Sequence, residues 1–255
     1  FPPLLSGQPV LPPLDPADVA VEAATGGKAE AGDFFWSCDA SRISYAIVLE
    51  PEVVRDRVPE MLFVAMTAMA DAIGAVSPPE LAITWRWPNL IYANDARVGI
   101  ASLAVSEESD ATGAPAWIVV SINLALVPDA VQEPGTTPDQ TTLWDEGAGE
   151  IETVPALESL ARHFLTWVHR WESDGFHPVH EAWLFRCDGY KKPVTVKTAD
   201  AALQGTFLGL DETGNLLLKL EKGGYGPTIL PVMAHLDAGW VAQPAGTSAE
   251  EKVRQ

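Results

Sequence analysis

The spacing of apolar and polar positions along the chain predicts four helices. The first covers residues 16–24, because Asp15 is a favourable N-cap residue, Pro16 suits the first turn and two glycines follow. Residues 61–73 are apolar on almost every face, so they predict a helix buried on several sides. Residues 155–174 carry apolar side chains at three- and four-residue steps and stop at Gly175, and residues 176–186 predict a shorter fourth helix.

Segments rich in β-branched and aromatic residues predict strands between these helices. They are residues 34–36, 43–49, 81–85, 91–93, 98–105 and 117–126. A turn at Asn94-Asp95 and this order favour an antiparallel or mixed sheet. After Gly189, short strands and tight turns, including the hairpin turn 211–215 and a strand in TILPVM, indicate a small β-barrel.

The remaining segments predict little regular structure. Residues 1–16 are proline-rich, and we expect them to run extended over the surface without forming an element. Residues 127–152 predict a long acidic surface loop, and residues 246–255 a disordered tail.

Composition and charge exclude several functional classes. The chain has 255 residues, 47% of them hydrophobic, which is enough for one substantial core and a small second module. Its formal net charge of −19 opposes binding to nucleic acid or to an anionic membrane surface. The longest apolar stretch is too short to span a membrane, and the N-terminus lacks the basic region of a signal peptide. Two distant cysteines are typical of reduced thiols, so a cytoplasmic location is expected.

Four sequence motifs occur in one order along the chain. They are TWRWPNLIYANDARVGIASL at 84–103, VVSINLAL at 119–126, RWESDGFHPVHEAWLFRC at 170–187 and GTFLGLDETGNLLLK at 205–219. Together they resemble the biotin/lipoate protein ligase family. The resemblance implies an α+β fold with the mixed sheet of class II synthetases at 1–187, and an SH3-like β-barrel at 188–245.

The resemblance also implies a two-step reaction. The carboxylate of biotin or lipoate attacks the α-phosphate of ATP, with Mg²⁺, and forms an acyl adenylate. A lysine amine of a biotin or lipoyl carrier domain then attacks that adenylate. The first step needs cations beside the carboxylate and the phosphate, and the second needs water excluded.

Site residues follow from the motifs. The resemblance assigns ligand binding to Arg86, Trp87, Pro88, Asn89, Gly99, Ser121, Asn123 and Arg42. Trp87 could instead be a core aromatic residue, and Asn89 a turn cap. Arg97 stands near the place of the essential lysine of the family, although counting back from Gly99 gives Ala96, and Arg97 could also be a solvated hairpin residue.

Several positions depart from the family pattern. Leu90 replaces an acid that could help hold Mg²⁺, and Ser121 replaces a glycine near the ligand. The arginine- and glycine-rich loop shortens to residues 37–42 with one cation, Arg42, while GGKAEAG at 26–32 suits a plain turn. We therefore predict an impaired or repurposed ligase. The alternatives are a non-catalytic module that binds a small acid or a nucleotide, and an interaction scaffold. No metal site is predicted, since Pro178 hinders helical pairing of the two flanking histidines.

Overall fold

Two sheets and five α-helices organise the part of the chain that is described. The computed structural model describes residues 2–128, 139–222 and 226–244. The order of elements agrees with the α+β fold expected from the sequence. Within the described residues, no helix is long and apolar enough to cross a membrane.

The larger sheet has seven strands in the order β1-β2-β3-β7-β6-β5-β4. Their bounds are Ser6–Val10 (β1), Asp33–Ser37 (β2), Arg42–Leu49 (β3), Ile83–Arg86 (β4), Leu90–Ala93 (β5), Ala96–Val105 (β6) and Ile118–Ala125 (β7). The β1–β2 pair is parallel and the other pairs are antiparallel, so the sheet is mixed.

The first strand corrects the expectation that residues 1–16 form no element. β1 pairs with β2 over five residues, and its side chains are exposed except that of Val10. Because the strand buries almost nothing, its sequence carries no alternation of apolar and polar positions. Pairing with the edge of β2, a contact far from β1 in sequence, stabilises it.

Three helices cover one face of this sheet. They are α2 (Glu60–Gly74), α3 (Thr153–Asp174) and α4 (His177–Arg186). Thirteen of the fifteen residues of α2 are buried, because the helix packs against both the sheet and α3. Gly175 ends α3 with a φ of 74°, a conformation that suits glycine.

One helix lies on the opposite face. α1 (Pro16–Thr25) begins at Asp15, whose carboxylate accepts a hydrogen bond from the backbone N–H of Ala17 at 2.8 Å, as the capping pattern predicts. Its buried residues pack with Ala46, Val48 and Val119 of β3 and β7. α1 therefore covers only part of this face.

The C-terminal part forms a five-stranded antiparallel sheet, β11-β10-β9-β8-β12, with a short helix α5. The bounds are Pro193–Lys197 (β8), Ala202–Leu210 (β9), Leu216–Leu220 (β10), Thr228–Leu230 (β11), Val232–Ala238 (α5) and Ala242–Pro244 (β12). The strand predicted in TILPVM is wrong in its second half, where α5 begins. An SH3-like barrel and a domain boundary at residue 187 stay predictions.

The expected loop at 127–152 contains more structure than its sequence indicates. Residues 129–138 and the expected tail at 246–255 lie outside the described residues. The described portion pairs with the large sheet: the backbone N–H of Thr141 donates to Arg97 O at 2.9 Å and that of Leu143 to Ala125 O at 3.0 Å. A short helical turn follows at Trp144–Ala148.

Candidate functional site

The part of the sheet that α1 leaves uncovered has a floor of small and polar residues. In the strand register, Asn123 on β7 lies between Ser44 on β3 and Ile100 on β6. The next row on the same face pairs Ser121 with Ser102. Directly opposed residues have Cβ atoms about 5 Å apart, so these side chains adjoin one another.

Two adjoining cavities lie above this floor. One, of about 110 Å³, is lined by Asp15 and Ala17 of the α1 N-terminus together with serines 44, 102 and 121. The other, of about 270 Å³, extends past Arg97 to Gln140 and Thr141. Both include Ile100 and Asn123 in their walls. We call these two neighbouring cavities together the groove; it has hydroxyls and a carboxylate at one end and a guanidinium at the other.

Arg97 lies on β6 in a position fixed by its own backbone. Its N–H donates to Asp139 O at 3.0 Å, and its C=O accepts from Thr141 N–H at 2.9 Å. The side chain is half-buried and forms no ion pair within residues 2–128, 139–222 and 226–244. The guanidinium can therefore offer two parallel N–H donors to a carboxylate.

Gly99 lies on β6 where the backbone of β7 leaves no room for a side chain. A Cβ atom at this position would lie 2.3 Å from Asn123 O and 2.6 Å from Leu124 Cδ2. A side chain at this position would therefore push β6 and β7 apart beside Asn123.

Arg42 lies next to Ala125 at the Arg97 end of the groove and is balanced by a neighbouring acid. Its Nε is 3.2 Å from Asp39 Oδ2. A hydrogen bond from the backbone N–H of Ser41, then one from its hydroxyl, and the charge of Arg42 hold the pKa of Asp39 below its ordinary value, against slight desolvation. Asp39 is therefore ionised at neutral pH, and residues 37–42 form a polar turn whose backbone also bonds to Val10 and to Leu126.

The four residues of the RWPN motif lie elsewhere. Trp87 is fully buried, its indole N–H donates to Gly214 O at 3.1 Å, and its ring centroid is 4.7 Å from that of His235. This position fits a core aromatic residue at the contact between the two sheets. The ring is enclosed by protein and faces the C-terminal sheet, which agrees with the core alternative, and the ligand-binding role of Trp87 stays a prediction.

The other residues of the motif also have partners within the protein. Arg86 donates to Asp188 Oδ2 at 3.2 Å and lies over the ring of Tyr92. Asn89 is buried and its side-chain amide donates to Ala101 O at 2.8 Å, while Pro88 is buried beside it. In the described chain none of these three lines the groove, and their ligand-binding role stays a prediction.

The structure thus brings together Arg97, Gly99, Ser121 and Asn123, with Arg42 nearby. It adds groove residues that the sequence did not indicate as ligand-binding, namely Asp15, Ser44, Ser102, Gln140 and Thr141. The sequence predicted Asp15 only as the N-cap of the first helix. In the described part of the chain, no group of three or more His, Cys, Asp or Glu side chains could hold a metal ion.

A large mixed sheet backed by helices and followed by an antiparallel sheet is the fold seen in biotin protein ligases. Residues 1–185 match the model of the Biotin/lipoate A/B protein ligase family, and residues 192–250 match that of the Biotin protein ligase C terminal domain. The chain belongs to the biotin/lipoate protein ligase family.

Individual relatives agree with this assignment. A biotin--[acetyl-CoA-carboxylase] ligase from Paracoccus denitrificans is 30% identical over 198 residues, which cover 77% of this chain and 80% of that protein. The bifunctional ligase/repressor BirA of Bacillus subtilis is 23% identical, over 80% of this chain and 62% of its own length.

Solved structures show the same fold. A biotin protein ligase-like protein of unknown function from Silicibacter sp. TM1040 superposes with a TM-score of 0.79 at 34% identity, over 91% of this chain and 96% of that one. The biotin protein ligase from Aquifex aeolicus in complex with biotin and ATP gives 0.72 at 13% identity, over 94% and 99%.

Proposed function

We propose that the chain binds a small carboxylic acid of the biotin or lipoate type in the groove, and that its ATP-dependent activation of this acid is impaired. The observation that carries the proposal is Arg97, a half-buried cation without an ion-pair partner in the described residues, at one end of a groove whose described lining has no other charged side chain except Asp15.

Binding of the acid follows from the chemistry of that end. A carboxylate gripped by the two parallel donors of Arg97 forms charge-assisted hydrogen bonds, each contributing roughly 1.5–3 kcal/mol. The neighbouring amide of Asn123 can add a further donor. The floor residues Ile100 and Gly99 offer apolar surface to an aliphatic chain.

Activation of the acid needs more positive charge in the site than binding does. The carboxylate must approach a triphosphate, so several negative charges have to be offset together. Arg42 is already paired with Asp39, and Arg86 with Asp188. Of Arg42, Arg86 and Arg97, only Arg97 is left without an ion-pair partner among the described residues, which suits one carboxylate better than a carboxylate and a triphosphate together.

A ligase with residual activity is the alternative. The relative from Paracoccus denitrificans is named as a ligase acting on a carboxylase, which supports a lysine of a carrier domain as the acceptor here as well. In that case the amine would displace AMP from the acyl adenylate. Acid binding and ligase activity would use the same groove, and they differ in how fast the acyl adenylate forms.

Calorimetric titration with biotin and with lipoate tests the binding. Arg97→Ala should weaken the affinity for the acid at least about tenfold, the equivalent of 1.4 kcal/mol. Arg162→Ala removes an exposed arginine of α3 and serves as the control. Unchanged affinity in Arg97→Ala, or no binding of either acid, would refute the proposal.

Pyrophosphate release tests the impairment. With Mg²⁺–ATP, each acid and a carrier domain, the chain should release pyrophosphate far more slowly than an active ligase assayed beside it. Equal rates would show that activation is intact and would favour the alternative.

A further inference from the structure

Beside Arg97 the large sheet is extended by a segment that is not one of its seven strands. β7 pairs with β6 only as far as Gly99. Beyond that point residues 139–141, which we call the strap, lie next to Arg97. The backbone N–H of Arg97 donates to Asp139 O at 3.0 Å, and that of Thr141 donates to Arg97 O at 2.9 Å. The position of Arg97 on this side of β6 therefore depends on how the strap is held.

Glu146 holds the strap from the short helical turn that follows it. Its Oε1 accepts a hydrogen bond from the Thr141 hydroxyl at 2.7 Å, and its Oε2 accepts one from the side-chain amide of Asn94 at 3.0 Å. Asn94 lies in the turn between β5 and β6, where it has a φ of 44°. One carboxylate therefore joins the strap to the hairpin that carries Arg97.

Both ends of this connection are fixed to the sheet independently of Glu146. The backbone N–H of Asn94 donates to Ala82 O at 3.1 Å, and the Oδ1 of Asn94 accepts from the backbone N–H of Ala82 at 3.1 Å. On the other side, the backbone N–H of Leu143 donates to Ala125 O at 3.0 Å. Loss of the Glu146 carboxylate should therefore loosen the strap and leave the surrounding fold in place.

Glu146 acts on Arg97 through the strap and not through its charge. Among the residues that the structure describes, Arg97 forms no ion pair with Glu146 or with any other acid. Thr141 lines the Arg97 end of the groove, but a hydroxyl has one proton, and Thr141 donates it to Glu146. A carboxylate at this end of the groove would therefore take its donors from Arg97, whose orientation the strap controls.

We propose that Glu146 is a positioning residue for Arg97: it ties the strap to the β5–β6 turn and so holds the guanidinium ready for the carboxylate of the acid. This inference rests on the proposed binding function. A group that is already held in its binding orientation loses less freedom when the ligand arrives, so it binds more tightly. The expected effect opposes simple electrostatics, because removal of a negative charge near a site for an anion would otherwise strengthen binding.

The first test is calorimetric titration with biotin and with lipoate, without ATP. Glu146→Ala should weaken binding of the acid roughly fivefold, because Arg97 is still present but less well held. Glu150→Ala removes an exposed acid four residues further on and is the control for charge, so it should bind the acid as tightly as the wild type or slightly more tightly. In the Arg97→Ala background, Glu146→Ala should cause no further loss, since nothing is left to position.

The second test restores the connection with its polarity reversed. In Glu146→Gln the side chain keeps one acceptor oxygen, so it can satisfy Thr141 or Asn94 but not both. In Asn94→Asp two carboxylates face each other. Each single variant should therefore weaken binding. When the two are combined, the glutamine amide can donate to the new carboxylate while its oxygen accepts from Thr141, and the charge of the pair is unchanged. Aspartate tolerates a positive φ much as asparagine does, so this double variant should recover the wild-type affinity.

Two kinds of failure can be told apart. The inference is overturned if Glu146→Ala binds the acid as tightly as Glu150→Ala does, if it causes the same loss in the Arg97→Ala background, or if the double variant binds as weakly as its single variants. Acid binding that depends on Arg97 would then still stand. If the wild-type chain binds neither acid, or binds equally well without Arg97, the proposed function and the inference fall together.

Discussion

Replacing Trp87 with phenylalanine should weaken the contact between the two sheets and leave acid binding unchanged. The indole is fully buried, donates to Gly214 O at 3.1 Å and packs on His235, while its own carbonyl accepts from Ala242 N–H at 2.8 Å. Phenylalanine loses the hydrogen bond, worth about 1 kcal/mol, and leaves Gly214 O unsatisfied. The space left by the smaller ring adds a further cost, so the total is about 2–3 kcal/mol.

Thermal unfolding measures this loss. For a chain of this length, about 2–3 kcal/mol corresponds to a decrease of about 4–12 °C in the melting temperature. Trp144→Phe is the control, because Trp144 is 52% exposed and should give a small shift. The affinity for biotin should be the same in both variants and the wild type. A large loss of affinity in Trp87→Phe with an unchanged melting temperature would show that the ring belongs to the ligand site and would refute this reasoning.

Two further predictions concern the floor of the groove and the C-terminal hairpin. Gly99→Ala should destabilise the protein by about 1–3 kcal/mol and weaken acid binding, because the new Cβ would overlap Asn123 O. In the control Gly74→Ala, the added Cβ would meet no atom within 4 Å, so the same denaturant titration should show no such loss. Burial raises the pKa of Asp211, but hydrogen bonds from Asn215 and the hairpin backbone outweigh this and place the pKa below its ordinary value. The ionised carboxylate therefore stabilises the fold above about pH 4, and this stabilisation decreases as the pH falls through the lowered pKa. Asp211→Asn should flatten the pH dependence of the melting temperature between about pH 5 and 2. An unchanged profile would contradict this prediction.

Helices and strands with a strong local pattern could be predicted from the sequence. α2 is apolar all round because it lies between the sheet and α3, and the sequence records both contacts. α1 was predicted from its cap and α3 from its apolar stripe, and both are confirmed. In each case the signal lies within the element itself.

Elements stabilised by distant partners could not be predicted. β1 is exposed and depends on β2, and β12 consists of three residues that pair with β8. α5 follows directly on β11, and its seven residues are too few to show a helical period. Residues 139–143 pair with β6 and β7 although their sequence reads as an acidic loop.

The candidate site shows the same division. Arg97, Gly99, Ser121 and Asn123 were expected near a ligand, and they line or support one groove. Trp87 was expected there too, but a motif does not reveal which way the ring points from the turn between β4 and β5, or that a second sheet covers it. Asp15 entered the groove only because α1 packs across the sheet, a contact that no local pattern encodes.

The charges in the groove explain why binding and activation should separate. Two unit charges of like sign 4 Å apart repel by about 4 kcal/mol in a partly solvated site, and one arginine offsets about one such pair. To bind a carboxylate, the site has to compensate one negative charge, and under the proposed function Arg97 does so. Adenylation needs the carboxylate to meet a triphosphate, and Arg42, held by Asp39, contributes little to that. Each pair left without compensation slows the step by about a thousandfold, since each 1.36 kcal/mol corresponds to a factor of ten in rate. The proposed impairment therefore predicts measurable affinity for the acid together with slow formation of the acyl adenylate.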